Sequence, residues 1–124
     1  MHNNKRISDI KRAQKSSLLH KTVSDLFFKA AIDDARLANV TLTRVRLSDD
    51  KSVCEVFFVT PDGEQAFQEK LRDLILYKPS LRAALAKQIP GRYTPNLVFK
   101  YDTQEEGMRK IDLILLDLKK KGEL

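Results

Sequence analysis

The sequence predicts an α+β domain, a three-stranded sheet with helices packed on it. Three observations predict it. Hydrophobic spacing switches between helical and strand periods in the order α-β-β-α-α-β-α. The turn-forming stretch "SDDK" joins two alternating runs, which marks a hairpin. Pro79 splits what otherwise reads as one helix. A chain of 124 residues, 42% hydrophobic and 32% charged, suits one soluble domain over residues 1–124, with residues 1–6 and 121–124 expected to be loose.

Each element follows from its pattern. Across residues 8–32, Leu19, Val23, Leu26, Phe27 and Ala30 share one helical face, and Lys11, Lys15 and Lys29 project beside it near Thr22. "DDARLAN" breaks that period. Residues 39–47, "NVTLTRVRL", alternate as a strand. Thr41, Thr43, Val45 and Leu47 fall on one face, with Val40, Leu42, Arg44 and Arg46 on the other. "SVCEVFFVT" is the partner strand. Its Cys54, Val56 and Phe58 face is fully apolar, and its Val53, Glu55, Phe57 and Val59 face is mostly so, leaving Val53 and Phe57 as an exposed docking candidate. Residues 60–77 predict a second helix, capped by Thr60 or Asp62, that buries Phe67, Leu71, Leu74 and Ile75. Pro79 ends it, because proline lacks an N–H and its predecessor avoids the helical region. Residues 80–89 form a third helix with Leu81, Ala84, Leu85 and Ile89 inward, Ala83, Ala86 and Lys87 outward and Arg82 at the flank. "YTPNLVFKY" is a third strand. In the last helix Thr103 and Glu106 match a capping box, and Met108, Ile111, Leu115 and Leu118 form the inward stripe. Lysines 119–121 suit a helix C-terminus.

Net charge is +6, which favours anionic partners. Residues 1–29 hold seven Lys/Arg against Asp9 and Asp25. The stretch Leu74–Tyr101 carries Lys78, Arg82, Lys87, Arg92 and Lys100 without one acid. These two basic zones read as an electrostatic footprint for nucleic acid. No apolar run approaches the ~20 residues of a membrane helix. The first residues are charged with no apolar core behind them, unlike a signal peptide. Cys54 is the only cysteine, so no intrachain disulfide forms, and the cytoplasm is the expected compartment.

Catalytic chemistry is missing from the pattern. His2 sits in a tail, His20 reads as a surface residue, and Cys54 as a small core residue. No metal-ligand spacing or phosphate loop occurs, so neither an enzyme nor a cofactor is expected. Asp33–Asp34 and Asp49–Asp50 are explained by turn chemistry. Two readings remain besides a hydrolase without paired carboxylates. One is an RNA binder. The other is a protein–protein module docking an acidic partner.

The break at Pro79 favours the first. Two helices meeting at a tight junction beside a small sheet is how KH modules let a backbone approach phosphates, and the order α-β-β-α-α-β matches the type II KH topology. The GxxG clamp is absent; the junction reads "YKPS". Further motifs extend the likeness. "DARL" (Asp34, Arg36, Leu37), "TRVRLSDDKSVCEVFF" (Ser48, Asp50), "SLRAALAKQIPGRYTPNLVFKYD" (Arg82, Leu85, Arg92, Pro95, Leu97, Phe99, Asp102) and "EGMRKIDLILLDL" together resemble the ribosome-binding factor A family over roughly residues 5–118. Ala35 stands where the family has proline, Tyr77-Lys78-Pro79 where it has Ala-x-Gly, and Cys54 where it has alanine.

The resemblance implies a KH-like fold and a monomeric, non-enzymatic assembly factor. It implies binding to free or immature 30S subunits and to 16S rRNA near the 5′-terminal helix, in support of late maturation and rRNA processing. The residues expected to meet RNA are Lys78, Ser80, Arg82, Lys87, Arg92, Arg44, Arg46, Lys11 and Lys15.

Overall fold

The computed structural model describes residues 2–89, 91 and 94–122, with side chains from Arg6 onward. Elements follow as α1 (His2–Asp33), a 3-10 turn (Ala35–Leu37), β1 (Thr41–Leu47), β2 (Val53–Val59), α2 (Glu64–Leu76), α3 (Lys78–Gln88), β3 (Asn96–Tyr101) and α4 (Thr103–Lys120). The expected order is present. The sheet runs β1-β2-β3, with β1 antiparallel and β3 parallel to the central β2.

The core lies on one sheet face. Cys54, Val56 and Phe58 of β2 align with Leu97, Phe99 and Tyr101 of β3 and are covered by Leu19, Val23 and Phe27 of α1, Phe67 and Leu74 of α2, and Leu81 and Leu85 of α3. Phe58 is its centre, with ring centroids 5.2 Å from Phe27, 5.9 Å from Phe67 and 5.4 Å from Phe99. Tilted, stacked and edge-to-face contacts of this kind add to the area term. Cys54 is fully buried, and burial pushes its thiol pKa up to about 11, which makes it an inert core residue.

Several expectations change. α1 starts at His2, not near residue 8. Its first turns are solvated, with Ile7 and Ile10 exposed, so no apolar stripe marks them, while no proline or glycine stops the helix. The β1 register slips between Leu42 and Arg44, with Thr43 as the extra residue. This bulge turns Leu42 to the core face opposite Phe58, where simple alternation puts it with Arg44. Neither Thr60 nor Asp62 caps α2; the Thr60 hydroxyl instead donates to the Gly63 carbonyl at 2.7 Å, and Gly63 enters the helix at φ 90°. Ile75 is exposed. Phe57 is buried, so it offers no docking surface.

The largest change concerns α4. Its cap is Asp102, which accepts from the Glu105 N–H at 3.0 Å, and not a Thr103–Glu106 box. Met108, Ile111 and Leu115 are exposed instead of inward. The pattern of α4 is amphipathic, but its stripe does not meet the sheet.

Candidate nucleic-acid interface

The break between α2 and α3 is one residue wide. Pro79 occupies the first turn of α3, where its missing N–H costs no helical bond. Tyr77 (φ −84°, ψ −11°) donates its N–H to Leu74 at 3.0 Å and accepts from the Leu81 N–H at 2.9 Å, so helical bonding resumes at once from Lys78. The Tyr77 ring packs on the core, and its hydroxyl donates to Asp34. Asp34 also accepts from the Arg36 guanidinium at 2.7 Å and from the Arg36 N–H at 2.9 Å. Those hydrogen bonds hold the Asp34 carboxyl below its ordinary pKa and raise that of Arg36. The "DARL" segment is thus the clasp that pins the end of α1 to the break.

At the other end of α3, Gly91 (φ 146°) sits against α1. A side chain there would meet the Lys15 ammonium at 3.5 Å. Asp34 near Tyr77 and Lys15 near Gly91 make α1 and α3 antiparallel neighbours. Their outer surface carries Lys11, Lys15, Lys78, Ser80, Arg82 and Lys87. Arg82 donates to the Thr94 carbonyl at 3.1 Å, toward β3. Lys87 lies on the other flank by helical geometry. The Lys78 ammonium is 5.5 Å from the Phe99 ring centroid, so part of its stem packs on the body. Among the described residues no carboxylate pairs with any of these five cations. Arg92 lies outside the described residues.

Arg44 and Arg46 are elsewhere, on the sheet face turned away from the helices. The Arg44 guanidinium stacks 4.0 Å from the Phe57 ring centroid and donates to Asp102 at 2.9 Å. Asp102 is 1% exposed and also accepts from the Thr43 hydroxyl at 2.6 Å. Burial alone pushes its pKa up; the bonds from Arg44, Thr43 and the Glu105 N–H outweigh that, and the net shift is downward. Arg46 lies 4.0 Å from Glu55, whose other oxygen takes Lys100 at 2.5 Å. That Lys100 bond leads the lowering of the Glu55 pKa. The expected site therefore divides. Six of the residues lie on α1 and α3, with Lys78 and Arg82 turned toward β3 and Lys15 beside Gly91, while two arginines sit behind the sheet, Arg44 paired with buried Asp102 and Arg46 mostly exposed near a Glu55 that Lys100 also takes.

Sequence reasoning missed Asp102 as an organiser, although Asp102 three residues before Glu105 is a cap-like spacing. It also missed the Tyr77–Asp34 clasp, which no local pattern announces. No described helix is long and apolar enough to cross a membrane. No cluster of three metal-ligating side chains occurs among the described residues.

Comparison with known proteins agrees with this architecture. The family model described as ribosome-binding factor A matches residues 11–115. A Pelobacter propionicus ribosome-binding factor A is 32% identical over 109 residues, covering 87% of this chain and 88% of its own. The Syntrophobacter fumaroxidans protein of the same name is 33% identical, over 90% of this chain and 97% of its own. The crystal structure of Thermus thermophilus ribosome-binding factor A superposes with TM-score 0.61 and 31% identity, over 73% of this chain and 93% of that one. Thermus thermophilus ribosome-binding factor A coordinates fitted into the electron-microscopy map of its complex with the 30S subunit give TM-score 0.55 and 31% identity, over 69% of this chain and 89% of that one. These structures share the KH-like fold.

Proposed function

The chain belongs to the ribosome-binding factor A family, and from that premise we propose that it is a non-enzymatic factor that binds the free or immature 30S subunit and assists its assembly. The observation that carries this reading is the α1–α3 surface, where Lys11, Lys15, Lys78, Arg82 and Lys87 stand without carboxylate partners among the described residues. Such a surface neutralises phosphates and reads RNA shape more than base edges. The one-residue break keeps Pro79 and Ser80 exposed at the start of α3, beside Lys78 and Arg82. Arg92, which follows Gly91 in sequence, belongs to the same proposal on sequence grounds alone.

In finer terms, the chain acts as one cytoplasmic domain on 16S rRNA near the 5′-terminal helix. It favours one rRNA arrangement during late maturation and processing and leaves when that arrangement changes. Sedimentation of cell lysate through a sucrose gradient tests this. Comigration with free small subunits at low salt, lost at high salt and absent from translating ribosomes, is the expected result. Protein that stays at the top of the gradient in both conditions overturns it. The docking-module alternative loses one of its two candidate residues, since Phe57 lies buried under Arg44.

A further inference from the structure

The ladder of backbone hydrogen bonds is interrupted where α2 meets α3. Pro79 has no N–H to bond back to Ile75, and Tyr77 is the one residue between the helices. Side chains take over the work of fixing the angle. The Tyr77 ring packs on the core, and its hydroxyl donates to Asp34. Asp34 is itself held on several sides. Its N–H donates to the Ala30 carbonyl at 3.0 Å, its carboxylate takes the Arg36 guanidinium and N–H, and Leu37, three residues on, is fully buried. A second bond runs beside it, from the Lys70 ammonium of α2 to the Ala38 carbonyl at 2.7 Å.

A phenylalanine at this position would fill the same space, so packing does not account for the hydroxyl. Its acceptor lies 43 residues away in sequence, at the end of α1. The Asp34 side chain is only 19% exposed, which shields the bond from water, and the acceptor is charged, which strengthens it. The bond therefore joins the end of one basic helix to the start of the other. α1 carries Lys11 and Lys15, and α3 carries Lys78, Arg82 and Lys87.

We infer that Tyr77 is a positioning residue for the basic surface. Through Asp34 its hydroxyl fixes the start of α3 against the end of α1, so the cations of both helices stand in one arrangement before the subunit is met. This rests on the subunit-binding reading above and names the device that prepares its surface. A surface ordered in advance loses less freedom on binding, which raises affinity without adding a contact.

Tyr77→Phe tests the role, since it keeps the ring and removes only the hydroxyl. Binding of the full chain to purified small ribosomal subunits is measured over a range of salt, well below the melting temperature. The expected result is affinity weakened about threefold to tenfold with the salt slope unchanged, because the same phosphates are still met. Lys87→Gln, which removes a cation, weakens binding and also makes the slope shallower by about one. In an Asp34→Ala background, where the acceptor is already gone, Tyr77→Phe has no further effect. Amide exchange in the free protein gives a readout that needs no subunit. The Leu81 N–H, bonded to the Tyr77 carbonyl, exchanges faster in Tyr77→Phe. Affinity unchanged in Tyr77→Phe, whatever the melting temperature does, overturns the inference. So does a slope that falls with the affinity, an equal loss in the Asp34→Ala background, or unchanged exchange at Leu81. A parent chain that binds no subunits overturns the subunit-binding reading, and the inference with it.

Discussion

The two basic surfaces of this protein use the same residue types for different work. On the α1–α3 side, Lys11, Lys15, Lys78, Arg82 and Lys87 have no carboxylate partner among the described residues. Behind the sheet, Arg44 is spent on Asp102, while Arg46 and Lys100 share Glu55. A cation already matched inside the fold has little charge left to offer a phosphate. Counting lysines and arginines therefore overstates an interface. What matters is which charges the fold has left unmatched.

That contrast can be broken or sharpened by substitution. The largest effect on stability is expected from Asp102→Ala, which removes the α4 cap and the charged partner of Arg44. The cost is about 3 kcal/mol by denaturant unfolding. The same site sets an acid limb. The folded-state pKa of Asp102 lies below the ordinary 3.8. In that window the unfolded chain binds the extra proton, so stability is complete above it and falls as pH drops through the folded value. Asp102→Asn should flatten that fall, and an unchanged acid limb would remove Asp102 from the account.

Next is the double reversal Lys15→Glu with Lys87→Glu. It should weaken subunit binding by roughly a hundredfold in a filter or gradient assay while leaving the melting curve near that of the parent. If the sheet-face variants weaken binding more, the contrast fails. Raising salt from low to moderate should cost the parent roughly tenfold in affinity or more. The doubly reversed protein should show a shallower slope. The smallest effect is expected from Arg46→Ala. Its pair with Glu55 is exposed, so both stability and binding should move by less than about 0.5 kcal/mol.

Much of the fold could be read from periodicity. The hairpin, the break at Pro79 and the apolar face of Cys54, Val56 and Phe58 were all visible as local spacing. What escaped was long-range. Leu42 changes face because Thr43 is bulged, and a single extra residue leaves no mark in an alternating pattern. The stripe of α4 was read correctly as apolar, but its direction depends on how Asp102 seats the helix. At the candidate site, the acid-free stretch was plain. Which arginines are neutralised was not, because Arg44 finds its acid 58 residues away.

The position of β2 has a further consequence for how the chain reaches this structure. It joins β1 through a short hairpin, Ser48 to Ser52, yet it takes β3 in parallel with Val53 opposite Asn96, after the chain has built both α2 and α3. Local pairing forms in microseconds, whereas closing a long loop must pay its entropy before any contact returns it. Docking of β3 thus closes the longest loop in the sheet. Until it happens, the edge of β2 is bare, and a nascent chain released before Tyr101 has emerged from synthesis would expose the strand it most needs to protect.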